Sequence, residues 1–387
     1  MEITPARLRP HWPCRFVGWG AWFRCLAAGA ALTAPWVDAP AAGVIRIGQS
    51  LPDSPESYKI STSIGYATNA LVESVNALGG IDGRMIELVT LKDDGTASGY
   101  ARNVTRLLED EQVLAVVNCT GDARCLEGQR LVREHDAALV GAMSGVPALH
   151  VSDGHVFPVR ADYPAEAKAL ARQLATIGVA TATVLTDGHS LPIKRDALAE
   201  AMKSAGIATT MVEVKADKTS IGRALDHLMT PPINALMLDL GAASLAVTGE
   251  LLQEKAPELP AVIASLADPE LTLSIGIFRG RTYGFTSVVP NPESQTSALA
   301  TAFRQDLVNA PFGISYAGLE AYLNLRVVIE ALRSIDKVPT RSTLLNVLRA
   351  SPSMTIGELA VSPVGQGRGA PARVGLGVIS ARGIVLE

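Results

Sequence analysis

Two short loops carry the residue types best suited to gripping a small anion. Asn118-Cys119-Thr120-Gly121-Asp122 follows the apolar run 113–117, and Gly141-Ala142-Met143-Ser144-Gly145-Val146-Pro147 follows the run 137–141. Each loop leaves a buried strand and opens toward a helix, where unpaired backbone N–H groups and the positive end of the helix dipole favour a carboxylate. Thr120 adds a hydroxyl and Gly121 its amide, and Ser144 and Gly145 repeat the pair one strand later. This is binding chemistry rather than bond making. Ser144 has no histidine beside it, and neither a Gly-x-Ser-x-Gly elbow nor a His-Glu-x-x-His helix occurs. The glycine-rich stretch 79–83 ends a helix, whereas a dinucleotide fingerprint follows a strand and starts one. The expectation is a non-enzyme that needs no cofactor and no metal, since His135, His150, His155, His189 and His227 lack metal-ligand spacing.

The elements that must hold these loops alternate between strand and helix, which predicts an α/β fold with mainly parallel sheets flanked by helices. An apolar-periodic helix through Ile64, Ala67, Leu71, Val75 and Leu78 runs into Gly79-Gly80, a left-handed stop, and a buried strand follows at 85–89. Later strands are expected at 181–186, 207–214, 235–239 and 261–265, with helices at 164–177, 194–205, 221–229 and 243–255. The stretches 373–380 and 383–386 read as a closing strand pair. No low-complexity linker separates the two halves.

Arg7, Arg9, Arg15 and Arg24 precede the uncharged apolar run 25–34, and Ala39-Pro40-Ala41 is a small-x-small pattern, so residues 1–41 read as a cleaved secretory signal. The run is shorter than the roughly 20 apolar residues that a membrane span requires. Cleavage leaves Cys119 and Cys125, an even pair in an oxidising compartment, and a disulfide is expected between them. So short a loop contributes at most about 2 to 3 kcal/mol through chain entropy. A net charge of −4 and 5% aromatic residues leave nucleic-acid binding without a basic footprint.

The strand 44–50, the segment Asn76-Ala77-Leu78-Gly79-Gly80-Ile81-Asp82-Gly83-Arg84 and the following Asp93-Asp94-Gly95 together resemble the opening of type I periplasmic substrate-binding proteins of ABC transporters, the leucine/isoleucine/valine-binding family. The resemblance covers about residues 44–353. It implies two lobes joined by three crossover segments, expected near 158–163, near 286–290 and within 337–354. One lobe is then 42–160 plus about 288–345, and the other 161–287 plus about 346–387. It further implies a periplasmic, monomeric receptor that closes its hinge over a small carboxylate-bearing ligand, an amino acid or related acid or amide, and delivers it to a membrane permease. A sensor that docks on a signalling protein is the alternative.

On this resemblance the ligand contacts are Thr120, Gly121, Ser144 and Gly145 in the two loops, Tyr163 closing the first crossing, Tyr58 as a lid and Ser265 from the second lobe. The second lobe departs from the amino-acid pattern. The loops after 236–240 and after Ser265 lack the family's aromatic and acid, which leaves Asp122, Asp187, Asp239 or Asp268 to meet an ammonium if one is held.

Overall fold

The helix stop at Gly79-Gly80 is where the first αβ unit turns. The Gly80 N–H donates to the Val75 carbonyl at 3.0 Å, and the two glycines hold φ of 95° and 75°. A Cβ on Gly80 would overlap the Arg84 carbonyl, so glycine is required there. The computed structural model describes residues 43–55, 57–151, 153–227, 235–254, 262–267, 283–309, 311–364, 372–379 and 385–386.

Strands β1 (Ile45–Pro52), β2 (Ile86–Asp93), β3 (Ala115–Val117), β4 (Ala138–Val140) and β5 (Val156–Phe157) form a parallel sheet in the order β2-β1-β3-β4-β5. Helices α1 (Tyr58–Ala77), α2 (Ala97–Glu109) and α3 (Asp122–Glu134) connect its strands. After α4 (Tyr163–Thr176) the rhythm repeats with β6 (Thr181–Thr186), α5 (Pro192–Ser204), β7 (Ala208–Glu213), α6 (Lys218–His227), β8 (Ala235–Asp239), α7 (Ala242–Glu254), β9 (Val262–Ser265) and β10 (Tyr283–Ser287). The second sheet runs β14-β13-β10-β9-β8-β6-β7, and β13 (Gly375–Ile379) and β14 (Val385–Leu386) are its antiparallel end. The expected closing strand pair is thus present.

Each sheet reverses its order of growth once. β2 and β3 lie on opposite sides of β1, and β7 and β8 lie on opposite sides of β6. The connections that leave the carboxyl ends there diverge, which opens a crevice at each sheet.

One apolar cluster packs α1 and the later helices against the first sheet through Ile47, Leu71, Val117, Val140 and Phe157. A second cluster includes Tyr100, Leu107, Cys119 and Leu139 of the first sheet's other face and continues into Leu170, Val184 and Met202 of the second lobe. A third fills the far face of the second sheet around Leu236, Tyr283 and Phe285.

The chain returns to the first sheet with α8 (Ala298–Asp306) and α9 (Tyr316–Arg333). It stays longer than the residues 337–354 read as the third crossing suggest. Helix α10 (Arg341–Ala350) buries Leu344, Leu345 and Leu348 in the first cluster, and the hairpin β11 (Met354–Ile356) and β12 (Leu359–Val361) adds Ile356 and Val361. Glu358 fixes the hairpin by accepting the Ser297 hydroxyl at 2.5 Å and the Leu299 N–H at 3.0 Å. Residues 346–361 thus pack against the first sheet's helices, because the hairpin's apolar face has its partner there.

Candidate functional site

A cavity of about 340 Å³ lies where the two crevices face each other. Pro52, at the end of β1, and Thr120, Gly121 and Asp122, after β3, line it from the first lobe; His189, Ser190, Leu191 and Lys194, after β6, line it from the second. Both topological switch points thus open into one space, which is where the connectivity of parallel sheets directs a ligand.

The loop after β3 is shaped by its backbone. Asn118 takes φ of 59°, and its side chain is held by Gln49 at 3.3 Å and by the Asn324 amide at 3.0 Å. Gly121 follows at φ 81° and starts α3 with no side-chain cap. The first-turn residues Asp122 and Ala123 line the cavity, so the positive end of α3 faces it. A Cys119–Cys125 disulfide, with Cα atoms 5.5 Å apart, ties the strand end to the first turn of the helix.

Three cations line the cavity and each has an acid behind it. Arg124 pairs with buried Asp93 at 2.7 Å and donates to the Thr120 hydroxyl at 2.6 Å and its carbonyl at 2.8 Å. Lys194 pairs with Asp239 at 3.1 Å. Burial alone would raise the Asp239 carboxyl, but Lys194 and the Ser190 and Thr186 hydroxyls outweigh it and hold it below the ordinary carboxylate range. Arg160, in the first crossing, meets Glu166 of α4 at 2.8 Å and Glu320 of α9 at 3.3 Å, and donates to the Ala267 carbonyl at 3.2 Å. Desolvation dominates at Glu320 and pushes its carboxyl up, with Glu166 adding to the rise and Arg160 opposing it. Asp93, Asp239, Glu166 and Glu320 do not line the cavity.

The residues read from the sequence divide. Thr120, Gly121 and Tyr163 line the cavity. Ser144 is buried beside it, and its hydroxyl donates to Asp122 Oδ1 at 2.7 Å, as the Tyr163 hydroxyl also does at 2.7 Å. Burial, chiefly, and the adjoining Asp122 charge raise the Tyr163 phenol well above its ordinary value, so it stays a donor. Gly145 does not reach the cavity. Its carbonyl accepts the Tyr163 N–H at 2.7 Å, and a Cβ there would overlap the Tyr163 ring.

Tyr58 points outward, 63% exposed, because it opens α1 on the solvent side; Ser57 and Ile60 line the cavity instead. Ser265 is buried and spends its hydroxyl on the Leu266 carbonyl and the Tyr283 hydroxyl, and among the described residues of that loop Ala267 lines the cavity. Of the four acids considered for an ammonium, Asp122 lines the cavity, Asp239 lies behind Lys194, Asp187 holds the Gly241 N–H at 3.1 Å, and Asp268 lies outside the described residues. Sequence reading missed Arg124 and Lys194. Arg124 stands four residues after Thr120, a helical spacing that could have placed its guanidinium on that hydroxyl; Lys194 carried no local signal.

Two α/β lobes with a ligand-sized cavity at the switch points of both sheets define the bilobal architecture of a small-molecule binding protein. The sequence profile of the periplasmic binding proteins matches residues 44–368, and the chain belongs to that family, which consists of solute-binding proteins and not enzymes. Its fold is similar to a substrate-binding periplasmic protein of Ralstonia solanacearum (24% identity, TM-score 0.77, covering 88% of this chain and 99% of that one). It is also similar to a branched-chain amino acid transporter substrate-binding protein of Streptococcus pneumoniae in complex with isoleucine (16% identity, TM-score 0.75, 89% and 98%). A third similar structure is a fatty acid ABC transporter substrate-binding protein of Thermomonospora curvata (14% identity, TM-score 0.74, 89% and 92%). A search of curated proteins finds no match.

Proposed function

We propose that this protein is an extracytoplasmic receptor that captures a small carboxylate-bearing ligand between its lobes and delivers it to the permease of an ABC importer. The carrying observation is the uncapped start of α3, which faces a two-lobed cavity flanked by Arg124, Arg160 and Lys194. Orphan N–H groups, a helix dipole and cations set in front of their acids favour an anion there. Because the Thr120 hydroxyl already accepts from Arg124, its own proton is available to a ligand oxygen. Thr120, Gly121 and the ring of Tyr163 are the proposed contacts, and Ser144 acts through Asp122.

The similar S. pneumoniae and T. curvata proteins are named for ligand classes that both carry a carboxylate, which supports this class for the present chain. Export follows from residues 1–41 as a cleaved signal, and capture as a monomer proceeds by closure of the lobes about the crossings.

The test is a thermal-shift screen of residues 42–387 against amino acids, aliphatic and aromatic carboxylates, and the matching amides. Ligand at 100 times its Kd adds about 2.7 kcal/mol of stability. A shift with a carboxylate and none with its amide is the expected result; equal shifts with both would remove the anion grip.

A further inference from the structure

Among the described residues Asp122 is the one acid lining the cavity, and its carboxylate does not face an arriving ligand unaccompanied. Oδ1 accepts the Ser144 hydroxyl and the Tyr163 hydroxyl, each at 2.7 Å. Oδ2 accepts the Leu191 N–H of the opposite lobe at 3.4 Å. Two hydroxyls and a backbone amide converging from three elements are the donor set with which a protein holds a free carboxylate. Ser144 is 1% exposed and Tyr163 7%, and the Gly145 carbonyl and Cα fix the tyrosine, so these donors are preset. Asp122 is also the first residue of α3, so the positive helix start adds to these donors.

We infer that Asp122 is a built-in occupant of one acid-gripping corner of its own cavity, and through that a specificity determinant. The corner is filled from within the chain, which leaves a ligand carboxylate to the Thr120 hydroxyl and the Gly121 amide beside it, with the ligand body extending away from Ser144. The inference rests on reading the cavity as the ligand site. It also gives the Leu191 contact a role: the same carboxylate joins the two lobes across the cavity.

The experiment is chemical rescue with sodium acetate, read as Tm against sodium chloride at matched ionic strength, on wild type, Asp122→Ala, and Asp122→Ala combined with Ser144→Ala and Tyr163→Phe. In Asp122→Ala the vacated corner takes acetate, and the rise in Tm saturates at a concentration at least tenfold lower than any response of the wild type. The triple variant loses that gain. Equal acetate responses in wild type and Asp122→Ala overturn the inference, as does a gain that survives removal of both hydroxyls. If Asp122→Ala does not fold, Asp122→Ser meets the same criterion with the urea midpoint as the readout. Acetate probes the corner alone, so a ligand panel that finds nothing for the wild type sinks the receptor reading without touching this result.

Discussion

Replacing Arg160 with Met should strand a carboxylate inside the protein. Arg160 is 3% exposed and serves two buried acids, but the two are not equally provided for. Glu166 also accepts the Ala267 N–H at 2.8 Å and the Thr286 hydroxyl at 2.6 Å, whereas Arg160 is the hydrogen-bond donor to Glu320 among the described residues. Once the guanidinium is gone, Glu320 can avoid a buried unpaired charge by taking up a proton. That escape costs about 1.36 kcal/mol for each pH unit above an unfolded pKa of about 4.3, which bounds the loss relative to wild type, whose Glu320 carboxyl is already raised, at about 3.7 kcal/mol at pH 7 and about 1 kcal/mol at pH 5. It agrees with the roughly 3 to 5 kcal/mol typical of breaking a buried pair.

The sign follows from proton counting. A raised native pKa means the folded form holds a proton that the unfolded form has lost, so stability falls as pH rises from about 4.3 through the native value. Urea unfolding at pH 5 and pH 7, on wild type, Arg160→Met and Arg160→Met with Glu320→Gln, measures it. The expected pattern is a penalty several-fold larger at pH 7 and mostly relieved by Glu320→Gln. A penalty equal at both pH values, or one that Glu320→Gln leaves intact, refutes the reasoning.

Thr120→Val keeps the shape of the side chain and removes its proton; ligand affinity measured by calorimetry should fall by about 1 to 2 kcal/mol, and an unchanged Kd would take Thr120 out of the site. Gly145→Ala drives a Cβ into the Tyr163 ring and should cost about 1 to 3 kcal/mol in urea, a cost that Tyr163→Ala in the same chain largely removes. Additive losses in that cycle would show that the two positions do not touch. Asp239→Asn should destabilise by about 2 kcal/mol at pH 7 by leaving Lys194 without this acid. Because the native carboxyl is held below its ordinary range, that difference is present above about pH 3.9 and disappears as pH falls through the native value, which Tm measured from pH 7 to pH 3 would follow.

Much of the frame was legible because it is written in local periodicity. The strands at 181–186 and 235–239 fall where the apolar runs put them, and Gly79-Gly80 ends its helix by the conformation only glycine accepts readily. The site was legible only in its loops. Thr120 and Gly121 could be found because strand ends that feed helices face a crevice, but no spacing indicates that the Ser144 and Tyr163 hydroxyls meet Asp122, since that depends on three segments docking in three dimensions. Tyr58 and Ser265 each stand one to two residues from a lining position, and a displacement of one or two residues is enough to turn a side chain of a helix start or a strand end away from the cavity. That the 354–361 hairpin packs with the first sheet was not legible, because it has little periodicity of its own and takes its place from the Leu299 and Glu358 contacts.

The cations around the cavity are each backed by an acid, and this arrangement governs how fast an anion arrives as well as how it is held. Arg124 with Asp93, Lys194 with Asp239, and Arg160 with Glu166 and Glu320 present local positive faces whose fields cancel within a few ångströms, over a chain whose net charge of −4 becomes more negative once residues 1–41 leave with Arg7, Arg9, Arg15 and Arg24 against Glu2 and Asp38. An anionic solute therefore meets no long-range attraction and a weak overall repulsion, so its encounter rate should stay flat or rise slightly with added salt, the reverse of an electrostatically steered receptor. Such a protein would select among solutes by how long they stay rather than by how quickly they are drawn in.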